Sequence, residues 1–358
     1  MPSTATAVRL ALVIPLHGPA GIFGPSCEAC AQLAAEDFNL GPGILGRELD
    51  ITVIDGSGPP REVADRVDKA ISDGAVDGVT GWHLSSVRQA VVPRIAGRVP
   101  YVYTPLYEGG EGNPGVFLTG EIPGDQVRPA IRWLAREKGV RRWFILGNDY
   151  VWPRATARAA RHYVRSEGSV VCGEFYVPLN TQDFREAVRR VEHSDADAVL
   201  MLLVGQDAVL FNRAFARASL DESCLRFSPL MEENMLLATG APSTRGLYAA
   251  AGYFDTLPTG DNLDFQRLYV SRFGPKAPVL NSIGESCYEG ILLFAALAQR
   301  SGGVDPRQWS RVSDSVGYDG PRGSVRLRDR HLHQPIHLAE ADGHEFSVIA
   351  TLLVPGGS

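Results

Sequence analysis

The chain has 358 residues, of which 44% are hydrophobic and 21% are charged, a composition typical of globular proteins. This length exceeds one ordinary hydrophobic core and predicts two domains. The formal net charge is −6, from 35 basic and 41 acidic residues, and the charges are interspersed. Because no stripe of lysine or arginine stands out, the sequence gives little support to direct nucleic-acid binding.

The cysteines and the first residues bear on the cellular compartment. The five cysteines are scattered and odd in number, which argues against a secreted disulfide framework. Cys27 and Cys30 have C-x-x-C spacing without a second pair at zinc-binding distance, so packing is favoured over redox chemistry. The N-terminus shows no signal-peptide pattern, and no run is long enough to span a membrane. We therefore expect a cytoplasmic protein, or a periplasmic or extracellular one if a leader has been removed.

In the first third of the chain, apolar strand patterns alternate with amphipathic helices. Leu10–Pro15 is a continuous apolar run, as expected for a central parallel strand buried on both faces. Helices are predicted at 27–38, 61–73 and from Ser85, and further strands at 48–55, 77–81 and 99–105. This alternation predicts an open parallel sheet with helices on both faces, whose ligands bind beyond the carboxyl ends of the strands.

The segment Gly81–Pro93 is the leading candidate site in this half. It joins a predicted strand to a helix through a glycine turn, with Ser85 and Ser86 in predicted N-cap positions. A helix N-terminus offers N–H donors to a carbonyl or anionic group, although an ordinary capped turn has the same pattern. Aromatic side chains after other predicted strands favour a small-molecule site between the domains: Tyr103, Tyr150 and Trp152.

The second half repeats this order of elements, so both domains are expected to share a fold. Helices are predicted at 125–137, 154–167, 183–193, 208–219, 262–273 and 283–301, and strands at 142–146, 170–177, 198–204 and 247–254. Residues 324–338 and 346–353 are predicted to form a terminal hairpin. No G-x-S-x-G, H-E-x-x-H or P-loop motif is present, so no catalytic residue, metal or cofactor is expected. An enzyme using Cys27 or His83 is a minor alternative.

Three segments together resemble the type I periplasmic-binding-protein family, which is Leu/Ile/Val-binding-like: Gly81–Pro93, Tyr103–Gly109 and Asn148–Arg154. More narrowly, they are similar to its amide- and urea-binding branch, which includes a cytoplasmic amide sensor. The resemblance implies two Rossmann-like parallel-sheet lobes, joined by three crossovers and closing over a ligand by hinge motion. The implied lobes are residues 1–121 with 252–323, and residues 122–251 with 324–358.

The resemblance also implies a ligand-binding set. Ser85 would hydrogen-bond the ligand's carbonyl or amide group, and Tyr103 and Tyr150 would line the pocket from the two lobes. The whole expected set is His83, Leu84, Ser85, Tyr103, Pro105, Tyr150, Trp152, Gln206, Met231 and Glu232. The amide sensor has tyrosine at the positions of His83 and Trp152 and threonine at that of Pro105, so the size and polarity of the pocket differ.

Two functions follow from this resemblance. The first is a sensor of a small amide, urea-like or related nitrogen compound that regulates an amidase- or nitrile-type operon through an antiterminator-type partner. The alternative is the solute-binding component of an ABC importer for amides, urea or amino acids, with a permease as partner. For an amino acid, Glu232 or Asp207 would meet the ammonium group. A homo-oligomer is left open.

Overall fold

The computed structural model describes residues 7–352 and shows 15 strands and 11 α-helices there. The strands are β1 (Ala7–Ile14), β2 (Glu48–Asp55), β3 (Gly78–Gly81), β4 (Tyr101–Tyr103), β5 (Val116–Leu118), β6 (Arg142–Asn148), β7 (Val170–Val177), β8 (Ala198–Leu202), β9 (Leu225–Ser228), β10 (Leu247–Ala251), β11 (Gly317–Gly320), β12 (Gly323–Arg328), β13 (His331–His333), β14 (Ile336–Asp342) and β15 (Glu345–Leu352). The helices are α1 (Gly24–Leu40), α2 (Pro60–Ser72), α3 (Ser85–Ile95), α4 (Val127–Glu137), α5 (Val151–Ser166), α6 (Arg185–Glu192), α7 (Gln206–Arg217), α8 (Glu233–Thr239), α9 (Gly260–Phe273), α10 (Ser282–Ser301) and α11 (Pro306–Val312).

The chain divides into two compact α/β units, each with one mixed sheet. Unit 1 contains the chain up to Leu106, Gly110–Gly120 and Pro258–Gln334. Unit 2 contains Tyr107–Gly109, Glu121–Leu257 and the chain from Pro335 onward. Neither unit is therefore a continuous stretch of sequence.

The sheet of unit 1 has eight strands in the order β11-β12-β13-β5-β4-β3-β1-β2. Its five strands from β1 to β5 are parallel, whereas β11, β12 and β13 pair with one another in antiparallel fashion. β1 lies between β2 and β3 and is fully buried from Leu10 to Ile14, which confirms the central strand predicted from its apolar run. α10 packs against α1 and against β3 and β4.

The sheet of unit 2 has seven strands in the order β15-β14-β10-β9-β8-β6-β7. The strands from β6 to β10 are parallel, and the hairpin β14–β15 adds to one edge in antiparallel orientation. β8 is buried along its whole length because it lies in the middle of this sheet. Each unit thus combines a parallel α/β core with antiparallel strands at an edge.

The predicted C-terminal hairpin is present as β14 and β15, but its first strand begins at Ile336, and residues 324–334 form other strands. β12 pairs with β11 and with β13. β13 in turn pairs with β5, where His331 lies opposite Leu118. Residues 324–334 therefore belong to unit 1, although they were expected in the second lobe, and residues 252–257 belong to unit 2 rather than to the first. Apolar residues occur on both sides of Pro335, where unit 1 ends. The pattern expected of a single strand therefore spans strands of two different sheets.

Five short elements were absent from the sequence prediction: β5, β9, β11, α8 and α11. Each has seven residues or fewer, too few for a clear periodic pattern. Within residues 7–352, none of the helices has both the length and the apolar character needed to cross a bilayer.

Candidate functional site

The turn between β3 and α3 has a backbone that requires glycine. Gly81 has a φ of 121°, and a Cβ placed there would lie 2.4 Å from the carbonyl oxygen of Val13. After the turn, Leu84 is the N-cap residue of α3 and Ser85 is its first helical residue. The predicted N-cap position of the two serines is therefore wrong by one residue. Ser85 is 2% exposed, and no side chain caps this helix.

The N-terminus of α3 consequently presents backbone donors at the carboxyl end of β3. The first N–H groups of a helix have no intrahelical acceptor, and they carry the positive end of the helix dipole. The buried hydroxyl of Ser85 lies in the same turn. This combination suits a carboxylate or an amide carbonyl better than a cationic group.

His83 is held in one tautomer by two buried partners. Its Nδ1 lies 3.0 Å from the carbonyl oxygen of Val13, which can only accept, so Nδ1 carries the proton. Nε2 then accepts from the hydroxyl of Tyr101. Burial, together with the smaller effect of the charge of Arg88, lowers the pKa of His83 to about 4 against the raising effect of its hydrogen bond to Val13, so the ring is neutral at pH 7. Both ring nitrogens are thus engaged by the protein.

Tyr103 is the last residue of β4, the next strand of the sheet, and Pro105 follows two residues later. Tyr103 pairs with Gly81 across β3 and β4, and its buried hydroxyl donates to the carbonyl oxygen of His83 at 2.9 Å. The backbone of Pro105 is packed against Gly120, where a Cβ would come within 1.9 Å of the Pro105 carbonyl oxygen. The structure therefore brings the five expected residues of unit 1 to the carboxyl ends of two neighbouring strands.

A buried ion pair supports the same region and was missed in the sequence. Arg88 of α3 lies 2.8 Å from Glu111, with side-chain exposures of 3% and 7%. The guanidinium carbon of Arg88 is also 5.4 Å from the centre of the Tyr103 ring. The two charges are 23 residues apart in a chain of interspersed charges, so no local pattern marks them as partners.

In unit 2, the expected residues follow three neighbouring strands. Tyr150 and Trp152 come after β6, Gln206 after β8, and Met231 with Glu232 after β9, and these strands are adjacent in the order β9-β8-β6. Trp152, Met231 and Glu232 are buried, whereas Tyr150 and Gln206 are half-buried. Because parallel strands end at the same edge of a sheet, these side chains share one edge of unit 2.

Asn148 and Asp207 tie these strand ends together. The Nδ2 of Asn148 donates to Asp207 Oδ2 at 2.6 Å, and its Oδ1 accepts from the N–H of Val204 at 2.9 Å. Asp207 also accepts from the N–H of Asn180 at 3.0 Å. Burial raises the pKa of Asp207 to about 6, against the lowering effect of these hydrogen bonds. Asp207 thus joins strand ends of unit 2 through its hydrogen bonds to Asn148 and Asn180. Glu232 is therefore the better candidate for binding an ammonium group.

Three carboxyl groups meet where β9 leads into α8. Glu232 is the N-cap residue of α8 and Glu233 is its first helical residue, and both are buried. Glu233 accepts from the N–H of Asp255 at 3.1 Å, and the two side-chain carboxyl groups are hydrogen bonded. Burial raises the pKa of Glu233 well above its usual range, and the charges of Asp255 and Glu232 raise it further. Burial and the neighbouring charges therefore favour the protonated form of Glu233.

Neither metal nor thiol chemistry is marked in the described residues. From residue 7 to residue 352, no group of three or more His, Cys, Asp or Glu side chains is placed to hold a metal ion. Cys27 and Cys30 are buried free thiols of α1, and the Cys27 thiol contacts the carbonyl oxygen of Ile283 at 3.8 Å. This contact is part of the packing between α1 and α10.

The fold and these two sets of strand-end residues define a two-unit α/β binding protein. A family model described as "Periplasmic binding protein" matches residues 7–345. The chain belongs to this family of periplasmic binding proteins. The expected type I, Leu/Ile/Val-binding-like family and its fold are thereby confirmed, whereas the amide-binding branch gains no support from these relatives.

Similar proteins cover nearly the whole chain. The Leu/Ile/Val-binding protein homolog 6 of Brucella suis is 24% identical over 349 residues, which is 94% of this chain and 88% of the relative. The benzoate-bound solute-binding protein of an ABC transporter from R. palustris superposes with a TM-score of 0.84 at 18% identity, over 96% of both chains. The isoleucine-bound branched-chain amino acid transporter substrate-binding protein of Streptococcus pneumoniae gives a TM-score of 0.84 at 14% identity, over 97% of this chain and 99% of that one.

Proposed function

We propose that this chain is the solute-binding component of an ABC importer, and that its solute is a small carboxylate, with an amino acid as the first candidate. The observation that carries the proposal is the N-terminus of α3, which has no side-chain cap and has Ser85 buried in its first turn. N–H donors and a hydroxyl at the positive end of a helix dipole suit a carboxylate.

Unit 2 supplies the complementary chemistry for an amino acid. Glu232 is a buried carboxyl side chain at the end of β9, among the other strand-end residues of unit 2. The N-terminus of α3 suits a carboxylate and Glu232 suits an ammonium group, so the two sets match the two charged groups of an amino acid. An aromatic carboxylate such as benzoate would use the first set and would have no need of Glu232.

The similar proteins support this choice over a regulator. One is named as a Leu/Ile/Val-binding protein homolog, and the two solved structures are named as transporter components bound to benzoate and to isoleucine. They also give no support to the cytoplasmic location expected from the sequence. A permease is accordingly the proposed partner, and an antiterminator-type regulator is the less supported one.

A thermal-shift and calorimetric screen tests the proposal with isoleucine, alanine, benzoate, 4-hydroxybenzoate, acetamide and urea. A bound solute raises the melting temperature in proportion to its occupancy. We expect binding of at least one amino acid, and we expect Glu232→Gln to abolish that binding because the ammonium group loses its counter-charge. Glu28→Gln, on α1, is the matched control.

The outcomes separate the solute classes. Benzoate binding that survives Glu232→Gln would replace the amino acid by an aromatic carboxylate. Binding of acetamide or urea alone would instead favour the amide sensor, the second candidate, which rests on the similarity of Tyr103–Gly109 and Asn148–Arg154 to the amide-binding branch. Ammonia released from a bound amide would point to an enzyme.

A further inference from the structure

The interior of unit 1 contains a closed polar network on α10. Glu285 and Glu289 are one helical turn apart, and both are 0% exposed. Arg322, in the turn after β11, lies 2.7 Å (Nε) and 2.6 Å (Nη2) from Glu285 Oε2. The hydroxyl of Tyr318 donates to Glu289 Oε2. One oxygen of each carboxyl group therefore has a donor from the β11–β12 segment.

The remaining oxygens have no such donor. The Oε1 atoms of Glu285 and Glu289 are buried and receive no hydrogen bond from a protein N–H or O–H group. The two carboxyl groups are neighbours, because Glu285 and Glu289 lie four residues apart on the same face of α10. Gly320 packs directly against Glu289, because a Cβ there would lie 2.6 Å from Glu289 Oε1. Two buried carboxylates facing each other in this way repel strongly unless a proton lies between them.

We propose that Glu285 and Glu289 share one proton, and that this protonated pair fixes two chain segments at the points where they leave unit 1. The pair then carries a single negative charge, which Arg322 balances. Every carboxyl oxygen gains a partner: Arg322 and Tyr318 serve the Oε2 atoms, and the proton serves both Oε1 atoms.

Arg322 connects the pair to the ends of unit 1. Its Nη1 donates to Gln334 Oε1 at 2.6 Å, and the Nε2 of Gln334 donates to the carbonyl oxygen of Thr119 at 3.0 Å. Thr119 precedes Gly120, and Gln334 is the last residue before Pro335, so both lie where the chain passes out of unit 1. The shared proton thus keeps Arg322 in its position. Arg322 in turn fixes the two segments that leave unit 1, at Thr119 and Gln334.

The surroundings are compatible with a retained proton. The other ionisable side chains around the pair are Cys30 of α1, Cys287 and Tyr288 of α10, Tyr318 and Arg322. Burial raises the pKa of Cys30 and Tyr288, and that of Tyr318 is raised by burial and by Glu289. Burial and the charge of Glu289 raise the pKa of Glu285, against the opposing effect of Arg322. As the pH rises, Glu285 therefore loses this proton, and the link between the two carboxyl groups is lost.

Infrared difference spectroscopy of the full chain at neutral pH tests the proton directly. A shared proton gives a carbonyl stretch of a protonated carboxyl group. We expect wild type to show this component and Glu289→Gln to lack it, because an amide N–H replaces the proton toward Glu285 and the amide oxygen still accepts from Tyr318. Glu233→Gln is the control, since it removes the separate component of the Glu233–Asp255 pair only. Identical spectra of wild type and Glu289→Gln would overturn the proposal.

Hydrogen exchange tests the role of the pair. While the closed pair retains its proton and the opened segments leave it deprotonated, each rise of one pH unit should lower the protection of residues 119–120 and 333–334 in wild type by about tenfold, after correction for intrinsic exchange. In Glu289→Gln, which folds with the same net charge on the network, protection should not change with pH. Protection that depends on pH equally in both proteins would refute the link to the departing segments. This result is independent of which solute binds.

Discussion

The two sets of strand-end residues differ in how their polar groups are satisfied. In unit 1, His83 and Tyr103 make buried hydrogen bonds with neighbouring backbone groups, and His83 is neutral at pH 7, so the turn before α3 is fixed by neutral partners. In unit 2, buried carboxyl groups brace the strand ends, and their pKa values are raised. The first set is a rigid frame for backbone donors, whereas the second is an acidic edge whose charge depends on pH.

The largest loss of stability should come from removing the hydrogen bonds that His83 makes in unit 1. His83→Phe removes the donor to Val13 and the acceptor of Tyr101, which leaves two buried polar groups unpaired. We expect a loss of about 4 kcal/mol in the free energy of unfolding, since each such group costs about 1–3 kcal/mol. Urea unfolding measures it. Tyr101→Phe, which leaves only Nε2 of His83 unpaired, should cost less than half as much, and equal losses would contradict the two-partner role of His83.

The second prediction uses pH to separate the two units. The pKa of His83 is lowered from 6.5 to about 4 in the folded chain, so its contribution to stability is lost as the pH falls through this interval. The pKa of Asp207 is raised from 3.8 to about 6, so its contribution is present at low pH and lost as the pH rises. Each corresponds to about 3 kcal/mol, with opposite signs.

Single variants should expose this opposition. In Asp207→Asn, raising the pH from 4 to 6.5 should stabilise the protein more than it does in wild type, because the His83 effect is no longer opposed. In His83→Gln, the same change should be less stabilising than in wild type, or destabilising. Unfolding free energies over this range, with Asp183→Asn as an exposed control, provide the measurement. Parallel pH profiles for the two variants would show that the units do not differ in this way.

The smallest expected effect concerns the solute. Ser85→Ala should weaken binding of the solute found in the screen by about 1–3 kcal/mol, because a buried ligand group loses a hydroxyl partner. Ser86→Ala is the matched control, since Ser86 is less buried, and it should change affinity by less than about 0.5 kcal/mol. Calorimetry distinguishes them, and unchanged affinity in Ser85→Ala would remove this hydroxyl from the site.

Local patterns account for much of what the sequence revealed. The apolar run of β1, the glycine turn at Gly81 and the aromatic residues after strands are signals carried by adjacent positions, so the α/β class and the strand-end location were predictable. The position of Ser85 was off by one because helix N-termini allow several residue types as caps.

Long-range pairing explains what the sequence did not show. The partners of His83 are Val13 and Tyr101, 70 and 18 residues away, and Arg322 reaches Glu285 across 37 residues. The pairing of β13 with β5 rests on one register position, His331 with Leu118, more than 200 residues apart. Such contacts have no periodicity along the chain, so they become visible only once the sheets are assembled.

Unit 1 is built from separate stretches of the chain, so its parts are synthesised at different times. α1 is synthesised early, but α10, which packs against it and against β3 and β4, follows only after the five parallel strands of unit 2 have been completed. The nascent N-terminal half therefore has to wait, with the apolar face of α1 uncovered, for a helix encoded some 240 residues later. Truncation before Ser282 should consequently expose α1 to chaperones and proteases, whereas unit 2 would retain its parallel strands. The earliest translated segment thus obtains its complete core only late in synthesis.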